Sequence, residues 1–548
     1  MNSELVITYE KLKKYAILYI SLPIFCFFVG WLQWYWSILA CLALVVCFLA
    51  SSDKSRLNNL FSLSGSENRN SVSKAHPDNE KRIVISTKLL LFIVLISCIY
   101  LILCGIGRLW PQSHDCSWRN AIFRDLILRD WPVFYDKYDG ALCYYFGMWL
   151  PAAILGKLVY VFSGNPVIAF TTGNIAFLIY YTIGLSLLFL LLLLYFQATK
   201  IKQVLTIILG FIFFSGMDIL GVFIMESYSD FKDMHIEWWS GFHQYSSLTT
   251  LVCWVFNQTI IPLVCMMLLL HEKEVANYVF IGMACLFSGP FPFIGFFIYS
   301  LAIALKNVID KVRTKEVRKF VNEVFSISNI VATFFIFPFI GSFLTANTFM
   351  SQTTLDGAIS DSASWDGTQY FIYFIFSLLE FGILSLLLAK NNKTNILFYV
   401  TVLQLLIYPF FDVGVNSDLA MRASIPAIFL LYVFSYKTIF KCSENSPFDS
   451  EKTPSFANTH RSTTKFDILN IAIIVCLVVG AVTPSVEFLR GITRVYSRGI
   501  NDVSTDYIVT LNRDSNPVPG GDEAAWPATN FVSMNYEGTV FFKYFVRR

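Results

Sequence analysis

The chain has 548 residues, 55% of them hydrophobic and only 14% charged, with 53 Phe and a formal net charge of +3. A soluble domain carries roughly 25% charged residues, so an ordinary globular domain is excluded and no nucleic-acid partner is expected. Several apolar runs reach the roughly 20 residues that cross a hydrocarbon core, which predicts an all-α, polytopic membrane protein.

The N-terminus, MNSELVITYEKLKK, places positive charge before an apolar run, but no small-residue cleavage site follows. Residues 15–32 therefore read as a retained first helix. The turn WLQWYW joins them to a second run at 34–50 and suits the interfacial preference of Trp and Tyr. Residues 1–51 are thus an N-terminal helix pair. The segment 52–86 is rich in Ser, Asn and Lys, too poor in apolar residues to fold alone, and reads as a flexible cytoplasmic loop.

A core follows over 87–489. The run 87–105 leads into an outer loop, 106–165, that holds the polar stretch SHDCSWRNAIFRDLILRDWPVFYDKYDGALCYYFGMWLPAAILGK at 113–157. Both charge signs and many aromatics fit a folded surface lying on the bilayer, with 141–163 as an interfacial helix broken near Pro151. Further apolar runs at about 166–197, 203–224, 250–271, 275–288, 291–305, 324–345, 370–389, 394–410, 423–440 and 467–488 bring the total to about 13 transmembrane helices. In 275–305 the sequence SGPFP splits the run, and loop parity selects two helices over one broken helix. The tail 490–548 contains YIVTL and TVFFKYF, and either a small outer strand pair or disorder up to its apolar end is open.

Basic residues fix the orientation. Lys11, Lys13 and Lys14, Lys200 and Lys202, and six between 306 and 319 fall on one side. The N-terminus is expected in the cytoplasm, with the 113–157 stretch and the tail outside. Most of the twelve Cys sit in apolar runs and behave as small hydrophobes. Cys116 and Cys143 would both face outward, where a disulfide and two unrelated thiols are equally open.

Ionisable groups at membrane depth are expensive and by default suggest function. Asp218 in FFSGMDILG and Glu380 in SLLEFGIL are two, for which pairing between helices is an equally good account. The outer loop 225–249 supplies His235, Glu237 and His243. The two histidines lack helical two-His spacing and read as solvent-facing, and no metal site is assigned. Asn257 and Gln258 follow in WVFNQTIIP, where bonding to neighbouring helices is the plain reading. The element FFDVGVNSDLAMRASIP adds Asp418 and Arg422, the latter also explicable as a snorkelling anchor.

In their order, DCSWRNAIFRDL, YYFGMWLPAAILGK, FFSGMDILG, HIEWW, QYSSLTTLVCWVFNQTIIP and NSDLAMRASIP resemble a group of large bacterial membrane proteins with a GT-C-type glycosyltransferase fold. The similarity spans about 100–440. The resemblance implies an enzyme of the cytoplasmic (inner) membrane that takes a sugar from a polyprenyl-phosphate donor at the outer face and passes it to a surface glycan or lipid-linked acceptor. It places the essential acid of the first large outer loop at Asp115, with Asp125 as the fallback. Arg119 and Arg422 would meet the phosphate. Asn120, His235, Glu237, Asn257, Gln258 and Asp418 would complete the substrate contacts. No cofactor is required by the residues; a divalent cation (Mg or Mn) on Asp115 and Glu237 is conceivable. A lipid-linked polysaccharide polymerase or a flippase/transporter is the alternative, although a transporter should show interrupted helices in two related halves.

Overall fold

The computed structural model describes residues 4–52, 81–113, 116–136, 139–225, 235–241, 243–272, 274–347, 365–411, 413, 418–440, 468–498 and 530–547. The described residues are predominantly helical, and among them seven helices are long and apolar enough to cross a membrane, or eight if a bent pair counts as one span. They are α1 (Tyr9–Trp31), α2 (Trp34–Ser52), Pro166–Phe196, Pro290–Arg313, Val317–Thr345, Gly367–Ala389 and Ile468–Ser497; the bent pair is Leu248–Trp254 with Phe256–His271. Shorter apolar helices at Thr87–Leu103, Gly147–Ser163, Ile201–Ile212, Val275–Ser288, Ile396–Phe410 and Ile425–Ile439 fill the bundle. The fold is that of an all-α, multi-pass membrane protein.

Two kinds of helix account for the architecture. On α1, Tyr15, Leu18, Leu22, Phe25 and Val29 are exposed at spacings of three and four, while Ala16, Ile17, Ile20, Ile24 and Phe27 are buried. An apolar stripe left open beside an apolar stripe that packs is the signature of a helix between protein and lipid. The central helix Pro166–Phe196 is instead buried from Phe177 to Phe196 on nearly every face. Asn165 starts it, accepting the backbone N–H groups of Val167 and Ile168 at 2.9 and 3.2 Å, with Pro166 in the first turn where it costs no hydrogen bond.

Sequence-distant segments meet at both ends of the bundle. At one end Lys13 Nζ lies 2.5 Å from Glu272 Oε1, Tyr9 donates its hydroxyl to the same oxygen at 3.1 Å, and Ser51 donates to Asn277 at 3.0 Å. Strands β1 (Glu4–Thr8) and β2 (Arg82–Ser86) pair antiparallel there, so the last residues of the 52–86 connector are a strand rather than a flexible loop. Val6 and Val84 are cross-strand partners in that ribbon. Residues 53–80 lie outside the described residues.

At the opposite end a three-stranded sheet forms in the order β3 (Phe134–Tyr135), β4 (Gly140–Leu142), β5 (Val532–Ser533). Among the described residues the tail thus pairs with the polar stretch. Its final helix, Val540–Tyr544, buries Phe541 against Phe27 and Phe343, and Arg547 N–H donates to Trp31 O at 2.8 Å. YIVTL lies outside the described residues. Pro151 opens the helix Leu150–Ser163 in its first turn, so the expected break there is a helix start. Cys143 is a free thiol that donates to Phe343 O at 2.9 Å, and the Cys116–Cys143 disulfide is not formed. Residues 278–288 and 290–313 are two helices separated at Gly289.

Candidate functional site

Asp115 lies outside the described residues. The helix that follows it, Cys116–Leu128, buries Arg119, Ile122, Phe123, Leu126 and Ile127 along one face, the spacing an amphipathic helix needs. Arg119 is thereby turned inward, its guanidinium 5.9 Å from the centre of the Phe256 ring. Asn120 donates to Gln112 Oε1 at 2.8 Å, and Gln112 donates in turn to Gly105 O at 2.8 Å. Asp125 is fully buried; one of its oxygens is 2.6 Å from Arg124 and 3.8 Å from Arg129. Both guanidiniums are occupied in pinning the end of the helix, so Asp125 is a structural ion-pair centre in this arrangement.

The helix Val482–Arg498 crosses this region and carries residues that sequence reasoning passed over. Glu487 Oε2 accepts the indole N–H of Trp254 at 3.1 Å, and Glu487 Oε1 lies 2.5 Å from Arg490 and 3.9 Å from His235 Nδ1. Arg490 also sits 5.7 Å over the Trp254 ring, and Arg494 donates to Gln112 O at 2.9 Å. The signal was available: Glu487, Arg490 and Arg494 recur at three and four residues, one charged face of a helix. It is easily missed because the apolar run 467–488 extends into it.

His235 is not solvent-facing. Its ring stacks on Trp238 at 4.8 Å and meets Trp254 edge-on at 4.2 Å. His243 is likewise enclosed, by Trp365, Tyr373 and Phe376, and burial pushes its imidazole down to about 4. Both rings supply packing surface where the sequence reading expects solvent-facing histidines, with His235 a substrate contact.

Three buried carboxyls lie behind this aromatic layer. Asp218 Oδ2 accepts the hydroxyls of Ser215 and Thr483 at 2.9 and 2.7 Å. Glu380, in a π-helical turn at Leu378–Gly382, accepts the indole N–H of Trp239 at 3.0 Å. Met217 N–H donates to Leu379 O at 3.2 Å, which ties the turn before Asp218 to the turn that carries Glu380. The two acids singled out separately in the sequence are therefore neighbours. Glu237 stands beside them in the 3-10 turn Ile236–Trp238, accepting Ser247 N–H at 2.9 Å and Gln244 Nε2–H at 3.2 Å. Burial first, and then the Asp218 charge, push the Glu237 carboxyl up to about 8.

Asn257 and Gln258 occupy a break. The helices Leu248–Trp254 and Ile260–His271 are separated by the 3-10 turn Phe256–Gln258, and the chain bends by 113°. Asp418 and Arg422 form an i,i+4 ion pair at 2.8 Å, and Arg422 donates to Tyr145 OH at 2.8 Å. Tyr145 lies against Tyr144 with the rings tilted by 34°, and Tyr144 meets Phe531 of the tail; Trp118 meets Phe531 as well.

Arg119, Asn120, His235, Glu237, Asn257 and Gln258 thus belong to one continuous neighbourhood, linked through Phe256, Gln112 and Val482–Arg498. Asp418 and Arg422 join it from the side of Tyr144 and Phe531. Among the described residues no group of three or more His, Cys, Asp or Glu side chains is placed to hold a metal ion, and both oxygens of Glu237 are taken by protein donors. The arrangement offers buried acids, inward Arg side chains and stacked aromatics at a single end of an apolar bundle. No family model matches this chain, and no curated protein or solved structure is significantly similar to it.

Proposed function

We propose that the chain is a GT-C-type glycosyltransferase of the bacterial cytoplasmic membrane. It takes a sugar from a polyprenyl-phosphate donor at the outer face and modifies a surface glycan or wall polymer. In this reading the chain crosses the membrane about 13 times, with the N-terminus cytoplasmic and the tail extracytoplasmic. The supporting observation is the convergence on one end of the bundle of the polar stretch, the His235–Glu487–Arg490 cluster and the Asp418–Arg422 pair, each from a different part of the chain.

The chemistry runs through a loop carboxylate, with Asp115 as the assigned base. It removes the proton of an acceptor hydroxyl as that oxygen bonds to the anomeric carbon. The bond from the anomeric carbon to phosphate breaks, and the polyprenyl phosphate leaves with the electron pair. Arg119 and Arg422 are the donors for that developing negative charge. The test is Asp115→Asn in proteoliposomes supplied with labelled polyprenyl-phosphate hexoses. The assignment predicts a loss of transfer of about a hundredfold or more; transfer at the wild-type rate removes Asp115 as the base.

A flippase or transporter for a lipid-linked saccharide is the second reading, and one observation favours it: the sharply bent pair Leu248–Trp254 and Phe256–His271, a device of carriers. Movement of intact labelled glycolipid across the proteoliposome, with no sugar released or transferred, would select it.

A further inference from the structure

The break between Leu248–Trp254 and Ile260–His271 leaves polar atoms in an unusual state. Asn257 and Gln258 are fully buried, and among the described residues neither the oxygen nor the nitrogen of either carboxamide has a hydrogen-bond partner. Their surroundings are otherwise well provided. Thr259 donates its hydroxyl to Leu251 O and Val255 O, both at 3.0 Å. Tyr181 donates to Phe256 O at 2.8 Å and Ser288 to Asn257 O at 3.1 Å. The fold satisfies the backbone of the break and leaves the two amides open. Buried polar side chains are ordinarily bonded, so each exception needs a cause.

The position is informative. All twelve residues of Ile260–His271 are buried, and its far end adjoins the Lys13–Glu272 contact. At about 1.5 Å per residue the helix covers about 18 Å of a hydrocarbon core about 30 Å thick. The amides therefore lie within the apolar depth, nearer the end that carries the polar stretch. Phe256 beside them is lined by Trp149 at 5.7 Å, Phe177 at 5.8 Å and the Arg119 guanidinium at 5.9 Å. Gly289 gives Gln258 its room: a Cβ there would stand 2.9 Å from Gln258 Oε1.

The donor set selects the ligand. A carboxamide is uncharged and carries two N–H donors and an acceptor oxygen. A bare cation would use the oxygens and strand both NH2 groups, whereas a bare phosphate would do the reverse. Neighbouring hydroxyls, each donor and acceptor, satisfy both halves of both amides. We propose that the Asn257–Gln258 break is the subsite for the sugar headgroup of a lipid-linked saccharide, with Arg119 on the side of its phosphate. This rests on the reading of the chain as acting on such a lipid, and it holds for transfer or for transport.

The experiment is a binding titration on the full-length protein in detergent. A short-chain polyprenyl-phosphate hexose is compared with the same polyprenyl phosphate lacking the sugar. Wild type is expected to bind the glycosylated carrier at least tenfold more tightly. Asn257→Leu and Gln258→Met should reduce that gap to less than threefold while Tm is unchanged or raised, because each removes an amide that the unliganded fold leaves unbonded. Gly289→Ala, which crowds Gln258 without deleting an amide, should shrink the gap as well. A wild-type gap below threefold overturns the subsite, and so does a gap that survives all three substitutions or a fall in Tm with affinity intact. Turnover is measured in parallel. Sugar-dependent binding without transfer leaves the subsite standing and removes the transferase, whereas transfer with an insensitive gap does the opposite.

Discussion

Replacing Glu237 with Gln makes the buried acids report on themselves. Glu237 is enclosed by Ser247, Gln244 and the nearby Asp218 and Glu487 charges, and its carboxyl is raised from 4.5 to about 8. A raised carboxyl means that the folded state holds a proton that the unfolded state has released, so stability is complete below about pH 4.5 and falls as pH rises toward 8. At about 1.4 kcal/mol per unit, the loss across that window is roughly 4–5 kcal/mol. With an unfolding entropy of about 2.1 cal/mol/K per residue over the whole chain, this amounts to a fall in Tm of about 4 °C. Glu237→Gln, a neutral near-isostere, should abolish the fall: near wild-type Tm at pH 5, and higher Tm than wild type at pH 8.5. Unfolding in detergent followed by Trp fluorescence reads both. A variant with the same pH slope as wild type, or one destabilised equally at both pH values, refutes the argument.

Three further perturbations test the packing around the site. Asp125→Asn breaks the contacts to Arg124 and Arg129; because both guanidiniums are partly exposed, the cost should be about 2–3 kcal/mol, below the full value for a buried pair, and a change in Tm within error would remove its pinning role. Phe541→Ala opens a cavity beside Phe27 and Phe343 and should cost about 3–5 kcal/mol, with the tail becoming susceptible to limited proteolysis. Gly221→Ala would bring a Cβ to 2.2 Å from the Trp239 ring, displacing the indole from Glu380; about 1–3 kcal/mol of destabilisation is expected, together with altered Trp emission.

Much of the framework is legible in the residues because membrane helices are written locally. The apolar runs at 15–32, 34–50, 166–197 and 370–389 coincide closely with helices, since length and composition alone decide whether a segment suits hydrocarbon. Asp218 and Glu380 are conspicuous for the same reason, although their closeness in the fold is not written in either segment. What stays hidden is non-local. Nothing in VSM predicts that Val532 and Ser533 pair with Leu142 and Ala141, because a two-residue strand has no periodicity. The 255–259 break is invisible in an apolar window, where Asn257 and Gln258 look like ordinary interhelical glue. Histidines in polar loops look solvated until the fold brings Trp238, Trp254 and Trp365 onto them.

The closure of Val540–Tyr544 over the Trp31 turn carries a cost in time. Ribosomes add about 5–20 residues per second, so Trp31 waits roughly 25–100 s for Phe541, Phe545 and Val546 to be made. During that interval the hairpin between the first two helices has an uncovered aromatic face, available to insertion factors or to aggregation. Maturation of this end of the molecule is therefore governed by a segment translated long after the turn it covers.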